Sequence, residues 1–117
     1  MPREIRLYLG DMLKAAQAIL RYTAGMEFDD YESNDMVQGA VERRFEIIGE
    51  ALTQLRKFHP DMETGLAHEP AIRAFRNRII HGYFVVDNKL VWSTARYEVP
   101  QLVESLTKLT GELPPEI

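Results

Sequence analysis

The chain has 117 residues, which suits a single domain over residues 1–117. It contains no cysteine, and this excludes disulfides, thiolate catalysis and cysteine-ligated zinc. With 18 acidic and 14 basic side chains the net charge is −4, which argues against a protein that coats nucleic acid non-specifically through many cationic contacts. No apolar run is long enough to span a bilayer, and the N-terminus becomes charged too quickly for a secretory signal. We therefore expect a cytoplasmic protein.

The first predicted element is an amphipathic helix from Arg3 to about Tyr22. Its apolar residues recur at helical spacing, at Ile5, Leu9, Met12, Leu13, Ala16, Ile19 and Leu20. Thr23-Ala24-Gly25 should end this helix, because glycine readily forms a left-handed cap. Residues 29–35 are then expected to form a polar connection that offers several N-cap candidates.

A second helix is predicted from about Asp35 to Phe58. The residues expected to face inward are Val37, Val41, Phe45, Ile48, Leu52 and Leu55. His59-Pro60 should stop the helix, because proline disfavours helical backbone in the residue before it. A loop is expected from Pro60 to about Glu69.

A third helix should open at Glu69-Pro70, with an apolar edge at Ile72, Phe75 and Ile79, and end at Gly82. The short apolar segment at residues 84–86 is followed by a predicted turn at Asp87-Asn88. The last helical stretch carries apolar residues from Leu90 to Leu109, and Pro100 within it predicts a kink or a break. The sequence thus predicts an all-α fold, a four- to five-helix antiparallel bundle.

The most informative segment runs from Arg76 to Tyr83, with the sequence Arg-Asn-Arg-Ile-Ile-His-Gly-Tyr. Arginine matches phosphate oxygens with a planar fork of donors. The histidine at position 81 can exchange a proton near neutral pH. On a helix Asn77 and His81 share a face, whereas Arg76 lies to one side and must reach across. These residues together suit phosphoryl chemistry on a small anionic target.

A structural role for the same residues is the alternative. Arg76 could pair with an acid on a neighbouring helix, and His81 could interact with the C-terminal end of its own helix. An isolated arginine and histidine five positions apart occur freely by accident, so the spacing taken alone favours this alternative.

The segment resembles the Arg-x-x-x-x-His-x-Tyr signature of HepT-like proteins, which belong to the HEPN superfamily of small helical proteins, often RNases. Residues 47–51, Ile-Ile-Gly-Glu-Ala, are similar to that family's second-helix pattern, and the tail through Val91-Trp92 also fits. The resemblance covers most of the chain. It implies a homodimer whose two motifs face a shared cleft, and a partner nucleotidyltransferase antitoxin of the MntA kind. In such a toxin–antitoxin pair the partner places AMP on the motif tyrosine, here Tyr83, and silences the toxin.

The chemistry of the residues is compatible with a metal-independent endoribonuclease that needs no cofactor. A base can deprotonate the 2′-hydroxyl of RNA and so start cleavage, and we assign this role to His81. Arg76 would stabilise charge that develops on the phosphate, with Asn77 supporting it. The stretch from Ala71 to Tyr83 contains no acidic residue, and its other two arginines, Arg73 and Arg78, would contact the RNA phosphates.

A row of carboxylates in the second helix is a second candidate site. Glu42, Glu46 and Glu50 lie four apart, as in bundles that hold metal pairs. Such sites also need a glutamate three residues before a histidine, which this sequence lacks, so we expect no metal. Glu50 is instead a candidate to support the arginine–histidine site from the second helix.

The remaining histidines are expected to be ordinary surface residues, and the remaining aromatic residues are expected to be structural. His59 and His68 have no third metal ligand at a recognised spacing. Trp92 and Phe84 could stack on bases, but their apolar surroundings favour packing in the core or a dimer interface. Two functional alternatives to the enzyme stay open: a non-enzymatic helical subunit that docks to a nucleotidyltransferase and helps present its substrate, and a bundle that binds a nucleotide without turning it over.

Overall fold

The structure is a computed structural model, and it describes residues 4–61, 69–80 and 87–112, without the side chains of residues 78–80. Within those ranges every regular element is helical, which confirms the predicted all-α bundle. The elements are α1 (Ile5–Thr23), α2 (Phe28–Glu32), α3 (Asp35–Phe58), α4 (Pro70–Ile80), α5 (Asn88–Ser93), a π-helical turn (Thr94–Glu98) and α6 (Val99–Glu112). The last three follow one another without an interruption.

Helices α1 and α3 lie against each other and form the main framework. The ring of Tyr8, near the start of α1, meets the ring of His59 edge-on at 6.0 Å, just after the end of α3. The two helices therefore run antiparallel. The turn after α1 contains Gly25 at φ 75°, a backbone conformation that glycine adopts without a steric penalty. This confirms the glycine predicted to end the first helix.

The segment predicted as a polar connection contains a short helix, α2, so this part of the sequence prediction is wrong. A capping box holds its start, because the side chain of Asp30 accepts a hydrogen bond from the backbone N–H of Glu27 at 2.9 Å. Tyr31 anchors the helix with a fully buried ring. Two devices thus give helical structure to a segment whose acidic composition suggests a loop.

The predicted bounds of the second helix are confirmed in α3. Its start is capped by Asn34, whose side-chain oxygen accepts a hydrogen bond from the backbone N–H of Val37 at 3.1 Å. At its end His59 leaves the helix with φ −139° and ψ 62°, directly before Pro60. The predicted inward positions are buried, apart from Val37, which packs against the core while partly exposed.

Helix α4 begins at Pro70, as predicted, and joins the core through two buried side chains, Ile72 and Phe75. The ring of Phe75 stacks on that of Phe45 from α3, with centroids 5.4 Å apart. The predicted helix end at Gly82, the apolar segment 84–86 and positions 62–68 of the predicted loop lie outside the described residues.

The turn predicted at Asp87-Asn88 is instead the start of α5. The carboxylate of Asp87 accepts hydrogen bonds from the backbone N–H groups of Lys89 and Leu90, at 3.0 and 3.2 Å. This is an N-cap, and helical backbone begins at Asn88.

Pro100 disturbs the last helix without breaking it. A proline ring clashes with the carbonyl four residues earlier and leaves that carbonyl without its N–H partner. Immediately before Pro100 the helix widens into the π-helical turn at Thr94–Glu98, where the N–H of Val99 bonds to the carbonyl of Thr94, five residues back. The distortion predicted from the proline is thus a π turn within one continuous helix.

One hydrophobic cluster connects α1, α3, α4 and the helical segment from α5 to α6. The short helices α2 and α5 contact each other, and the ring of Tyr31 on α2 packs against that of Trp92 on α5 at 5.4 Å. Trp92 is partly buried against the core, which is one of the two packing positions, core or dimer interface, expected for it. Across the described residues, none of the helices combines the length and apolar content needed to cross a membrane.

Candidate functional site

The candidate site begins on the outer face of α4. Because Ile72 and Phe75 are buried, they fix the rotation of this short helix about its axis. Arg73 and Asn77 are exposed and Arg76 is half-buried. Arg76 and Asn77 lie three and four positions after Arg73, so the three residues occupy neighbouring positions on one side of the helix. Helix α4 thus places two guanidinium groups and an amide together.

Arg76 differs from Arg73 in its surroundings. It directly follows Phe75, the residue that stacks on α3, and its side chain is partly covered. A guanidinium held partly out of water interacts more strongly with a phosphate than a fully solvated one. This contrast fits the prediction that Arg76 stabilises reacting charge while Arg73 binds RNA at the surface.

The description of α4 ends at Ile80, one residue before His81. His81 and Tyr83 lie outside the described residues, and so does the side chain of Arg78. The general-base role of His81, the acceptor role of Tyr83 and the phosphate contact of Arg78 stay predictions.

The carboxylate row on α3 is arranged around Arg43. Nη1 of Arg43 lies 3.1 Å from a carboxylate oxygen of Glu46 and 3.3 Å from one of Glu50. These hydrogen bonds, first that with Glu46, raise the pKa of the Arg43 guanidinium. All three side chains are more than half exposed. Glu50 is therefore paired with Arg43, and its support of the arginine–histidine site remains a prediction.

Glu42 belongs to the same row but is partly buried. Burial raises the pKa of its carboxyl, and the nearby charge of Glu46 raises it further. Among the described residues, no group of three or more histidine, aspartate or glutamate side chains could hold a metal ion. The row is thus a salt-bridged helix face with one less solvated member.

Two further residues of interest, Arg96 and Tyr97, were missed at the sequence level. Both are exposed on the π turn, and this turn packs against α4. Pro100 was the available signal, since it marks this part of the helix as irregular. The sequence alone does not show that the irregular turn lies beside the arginine-bearing helix.

The described histidine, His59, is half-buried at the end of α3 and packs against Tyr8. It is therefore less exposed than the ordinary surface residue that the sequence predicted. His68 and Phe84 lie outside the described residues.

Comparison with known proteins decides the family. The model of the family described as "Ribonuclease HepT-like" matches residues 12–109, from within α1 nearly to the end of α6. The chain belongs to the ribonuclease HepT-like family. The matched range includes the whole of α4 and the predicted motif from Arg76 to Tyr83. The resemblance to HepT-like proteins of the HEPN superfamily, drawn from the sequence, is confirmed.

Similar proteins occur in Methanocaldococcus jannaschii and Thermococcus cleftensis. The chain is 33% identical over 113 residues to "Putative RNase MJ1216" of Methanocaldococcus jannaschii, covering 95% of this chain and 91% of that protein. It is equally identical over 113 residues to "Putative RNase MJ0125" of the same organism, with 95% of each covered. It is 31% identical over 113 residues to "Probable ribonuclease HepT" of Thermococcus cleftensis, covering 93% and 98%. No solved structure matches the chain.

Proposed function

We propose that this HepT-like protein is a metal-independent endoribonuclease, and that it is the toxin of a toxin–antitoxin pair. The observation that carries the proposal is the arginine-bearing face of α4, which lies inside the matched family region and leads directly into His81. The relatives' names, which refer to ribonucleases, support the same reaction class.

The proposed reaction uses the 2′-hydroxyl of the RNA itself. His81 accepts the proton of that hydroxyl, and the oxygen attacks the adjacent phosphorus. The bond from phosphorus to the 5′ oxygen of the next nucleotide breaks, and this oxygen takes up a proton from water or an imidazolium. The products are a 2′,3′-cyclic phosphate and a 5′-hydroxyl. Arg76 stabilises the negative charge that develops on the phosphate oxygens.

A short motif of this kind makes a sparse active site, since it supplies a single histidine. We propose that two copies of the chain form a homodimer in which the two motifs face a shared cleft. Asn77 then orients the imidazole or the phosphate, and Arg73 and Arg78 hold the RNA backbone on either side.

We further propose that the activity is controlled through Tyr83. A partner nucleotidyltransferase of the MntA type would transfer AMP from ATP to the phenol oxygen and release pyrophosphate. The added group brings negative charge and bulk within two residues of His81, where it competes with the RNA phosphate.

The reaction is tested with purified protein and a labelled single-stranded RNA in excess chelator. We expect cleavage with cyclic phosphate and 5′-hydroxyl ends, and its loss in His81→Ala. His59→Ala is the matched control, because His59 lies at the end of α3 and packs on Tyr8, outside the motif. Cleavage that persists in His81→Ala, or that depends on a divalent metal, would contradict the proposal.

The regulation is tested by intact mass after co-expression with the neighbouring open reading frame. A gain of AMP-sized steps that disappears in Tyr83→Phe is the expected result. An unchanged mass in the presence of an active nucleotidyltransferase and ATP would favour the alternative, a helical subunit that only docks to this enzyme.

A further inference from the structure

We propose that Arg96 and Tyr97 form a subsite for single-stranded RNA beside the arginine-bearing face of α4, with a base stacked on the Tyr97 ring and a phosphate at the Arg96 guanidinium. This inference rests on the proposed ribonuclease function and deepens it, because it names how the substrate is held. The residues lie outside the Arg76–Tyr83 motif.

Tyr97 is the first observation behind this subsite. Its side chain is 67% exposed, whereas Tyr8, Tyr31, Phe45 and Phe75 are buried in the core. Phe58 is 40% exposed, but the ammonium group of Lys57 lies over its ring at 5.2 Å. A single exposed aromatic residue is common on protein surfaces, so exposure alone would prove nothing.

The backbone around Tyr97 is the second observation. π-helical turns are rare and occur frequently at functional sites. In this turn Thr94 and Ala95 are buried and hold it to the core, so that Arg96 and Tyr97 are presented to solvent. The side chain of Gln101 donates a hydrogen bond to the Tyr97 carbonyl at 3.2 Å. The exposed pair therefore lies on an ordered support rather than on a loop.

The position of the turn is the third observation. Both the π turn and α6 pack against α4, the helix that carries Arg73, Arg76 and Asn77. The exposed pair Arg96 and Tyr97 therefore lies on an element that adjoins the arginine-bearing helix, and an RNA strand bound along α4 can extend onto it.

Arg96 supplies an exposed cation beside Tyr97. In the segment 87–98 the two cations, Lys89 and Arg96, balance the two carboxylates, Asp87 and Glu98, and Arg96 is exposed whereas Glu98 is partly buried. Arg96 therefore adds a third guanidinium to those of Arg73 and Arg76 on adjoining elements. Cations that follow the backbone, combined with an aromatic ring for the bases, are the usual means of binding single strands.

The same region is less suited to docking a protein. The other exposed large apolar side chains among the described residues, Leu7, Met36 and Phe58, lie on α1 and α3. Tyr97 is accompanied by the exposed polar residues Arg96 and Gln101 instead of an apolar patch. The fully buried core of a protein interface is more apolar than the rest of the surface, and the surroundings of Tyr97 supply no such apolar core.

The test measures the affinity of the whole protein for a fluorescein-labelled 2′-O-methyl oligoribonucleotide, which lacks the attacking hydroxyl and cannot be cleaved. We expect Tyr97→Ala to weaken binding by about 5- to 150-fold, the equivalent of one lost base stack. Tyr97→Phe should bind like the wild type, because its ring is retained. Arg96→Gln should weaken binding and reduce the slope of log affinity against log salt by about 0.7, the value for one phosphate contact.

The controls are Phe58→Ala, an exposed aromatic residue on α3, and Arg21→Gln, an exposed arginine at the end of α1. Both should bind with wild-type affinity. Wild-type affinity in Tyr97→Ala would overturn the subsite, and so would a loss of affinity accompanied by a change of solution mass in light scattering, since Tyr97 would then hold two copies together.

The two proposals fail in different ways. If the wild type cleaves natural RNA but Tyr97→Ala binds and cleaves normally, the subsite alone is wrong. If the wild type neither binds nor cleaves single-stranded RNA, the proposed function is wrong and the subsite is overturned with it.

Discussion

The rings of Phe45 and Phe75 stack at 5.4 Å with an interplanar angle of 25°, and this pair fixes α4 to α3 one residue before Arg76. Both rings are about 1% exposed. Helix α4 is short, and this stack adjoins the candidate site. The stability of the bundle and the placement of Arg76 are therefore linked through Phe75.

Replacing Phe75 should reveal this link. We expect Phe75→Ala to lower the free energy of unfolding by about 3–5 kcal/mol, because it leaves a cavity and removes the ring stack. Phe75→Leu should cost clearly less, since it keeps most of the buried volume. Urea titration measures both. Met36→Ala is the control, because Met36 is 82% exposed and its truncation should change stability by less than about 0.5 kcal/mol.

Tyr31 carries a polar atom that the core does not satisfy. Its hydroxyl is fully buried and has no hydrogen-bond partner among the described residues, while its ring packs on Trp92. A buried hydroxyl without a partner costs about 1–3 kcal/mol in proteins. We therefore expect Tyr31→Phe to be neutral or stabilising at pH 7, in contrast to most core substitutions. A loss of more than about 1 kcal/mol would show that the hydroxyl has a stabilising contact.

The same hydroxyl predicts a stability change at high pH. Burial, followed by the charge of Glu42, raises the pKa of Tyr31 from 10.0 to about 12. The folded state thus holds this proton more tightly than the unfolded state, and the resulting stabilisation is complete below pH 10 and lost as the pH rises toward 12. The wild type should therefore lose about 1–3 kcal/mol more than Tyr31→Phe over this interval. Denaturant titrations at pH 10 and pH 12 measure these losses of stability. Equal losses in the two proteins would contradict the prediction.

The contribution of Glu42 to stability should change in the acidic pH range. Since burial and then Glu46 raise its pKa, the folded state disfavours the carboxylate. Its proton stabilises the fold at low pH, and this contribution is lost as the pH rises through the folded pKa. At pH 7 we expect Glu42→Gln to raise the free energy of unfolding, by no more than about 1 kcal/mol because solvent screens a partly exposed group. The gain should shrink as the pH falls through the folded pKa and should be lost by about pH 4.

The control for this experiment is Glu46→Gln. It removes both a repulsive neighbour of Glu42 and the exposed salt bridge to Arg43 at 3.1 Å. Exposed pairs contribute only about 0–1 kcal/mol, so a small change of either sign is expected, and the pKa of Glu42 should fall. An equal gain at pH 7 and pH 4 in Glu42→Gln would show that the effect is not electrostatic.

The framework of this fold could be predicted from sequence because its signals are long and local. The bounds of α3 follow from sustained helical spacing between Asn34, which caps it, and Pro60. Helix α2 could not be predicted from the sequence because it is only five residues long and three of them are acidic. Its formation depends on the burial of Tyr31, which is a tertiary contact. The N-cap role of Asp87 could not be predicted either. An aspartate side chain can cap a helix or form a turn, and the local sequence does not distinguish the two.

The candidate site divides in the same way. Arg76 and His81 were found because they are close in sequence and resemble a known signature. Tyr97 lies 21 positions after Arg76 in the sequence. The packing of the π turn against α4 brings their two helical segments together. Sequence patterns report which face of a helix is buried, but they do not report which helices become neighbours.

The different surroundings of Arg73 and Arg76 predict different defects. Arg76 is half-buried beside the Phe45–Phe75 stack, whereas Arg73 is exposed. If Arg76 stabilises charge in the transition state, Arg76→Ala should lower kcat for RNA cleavage by about 100- to 1,000-fold, as loss of one oxyanion donor does. Arg76→Lys should restore only part of the lost kcat, because an ammonium group lacks the planar fork.

Arg73→Ala should leave kcat nearly unchanged and raise KM, with an effect that diminishes at high salt. Single-turnover and steady-state cleavage assays separate these defects, and equal losses of kcat in both alanine variants would mean that the two arginines act together on the reacting phosphate.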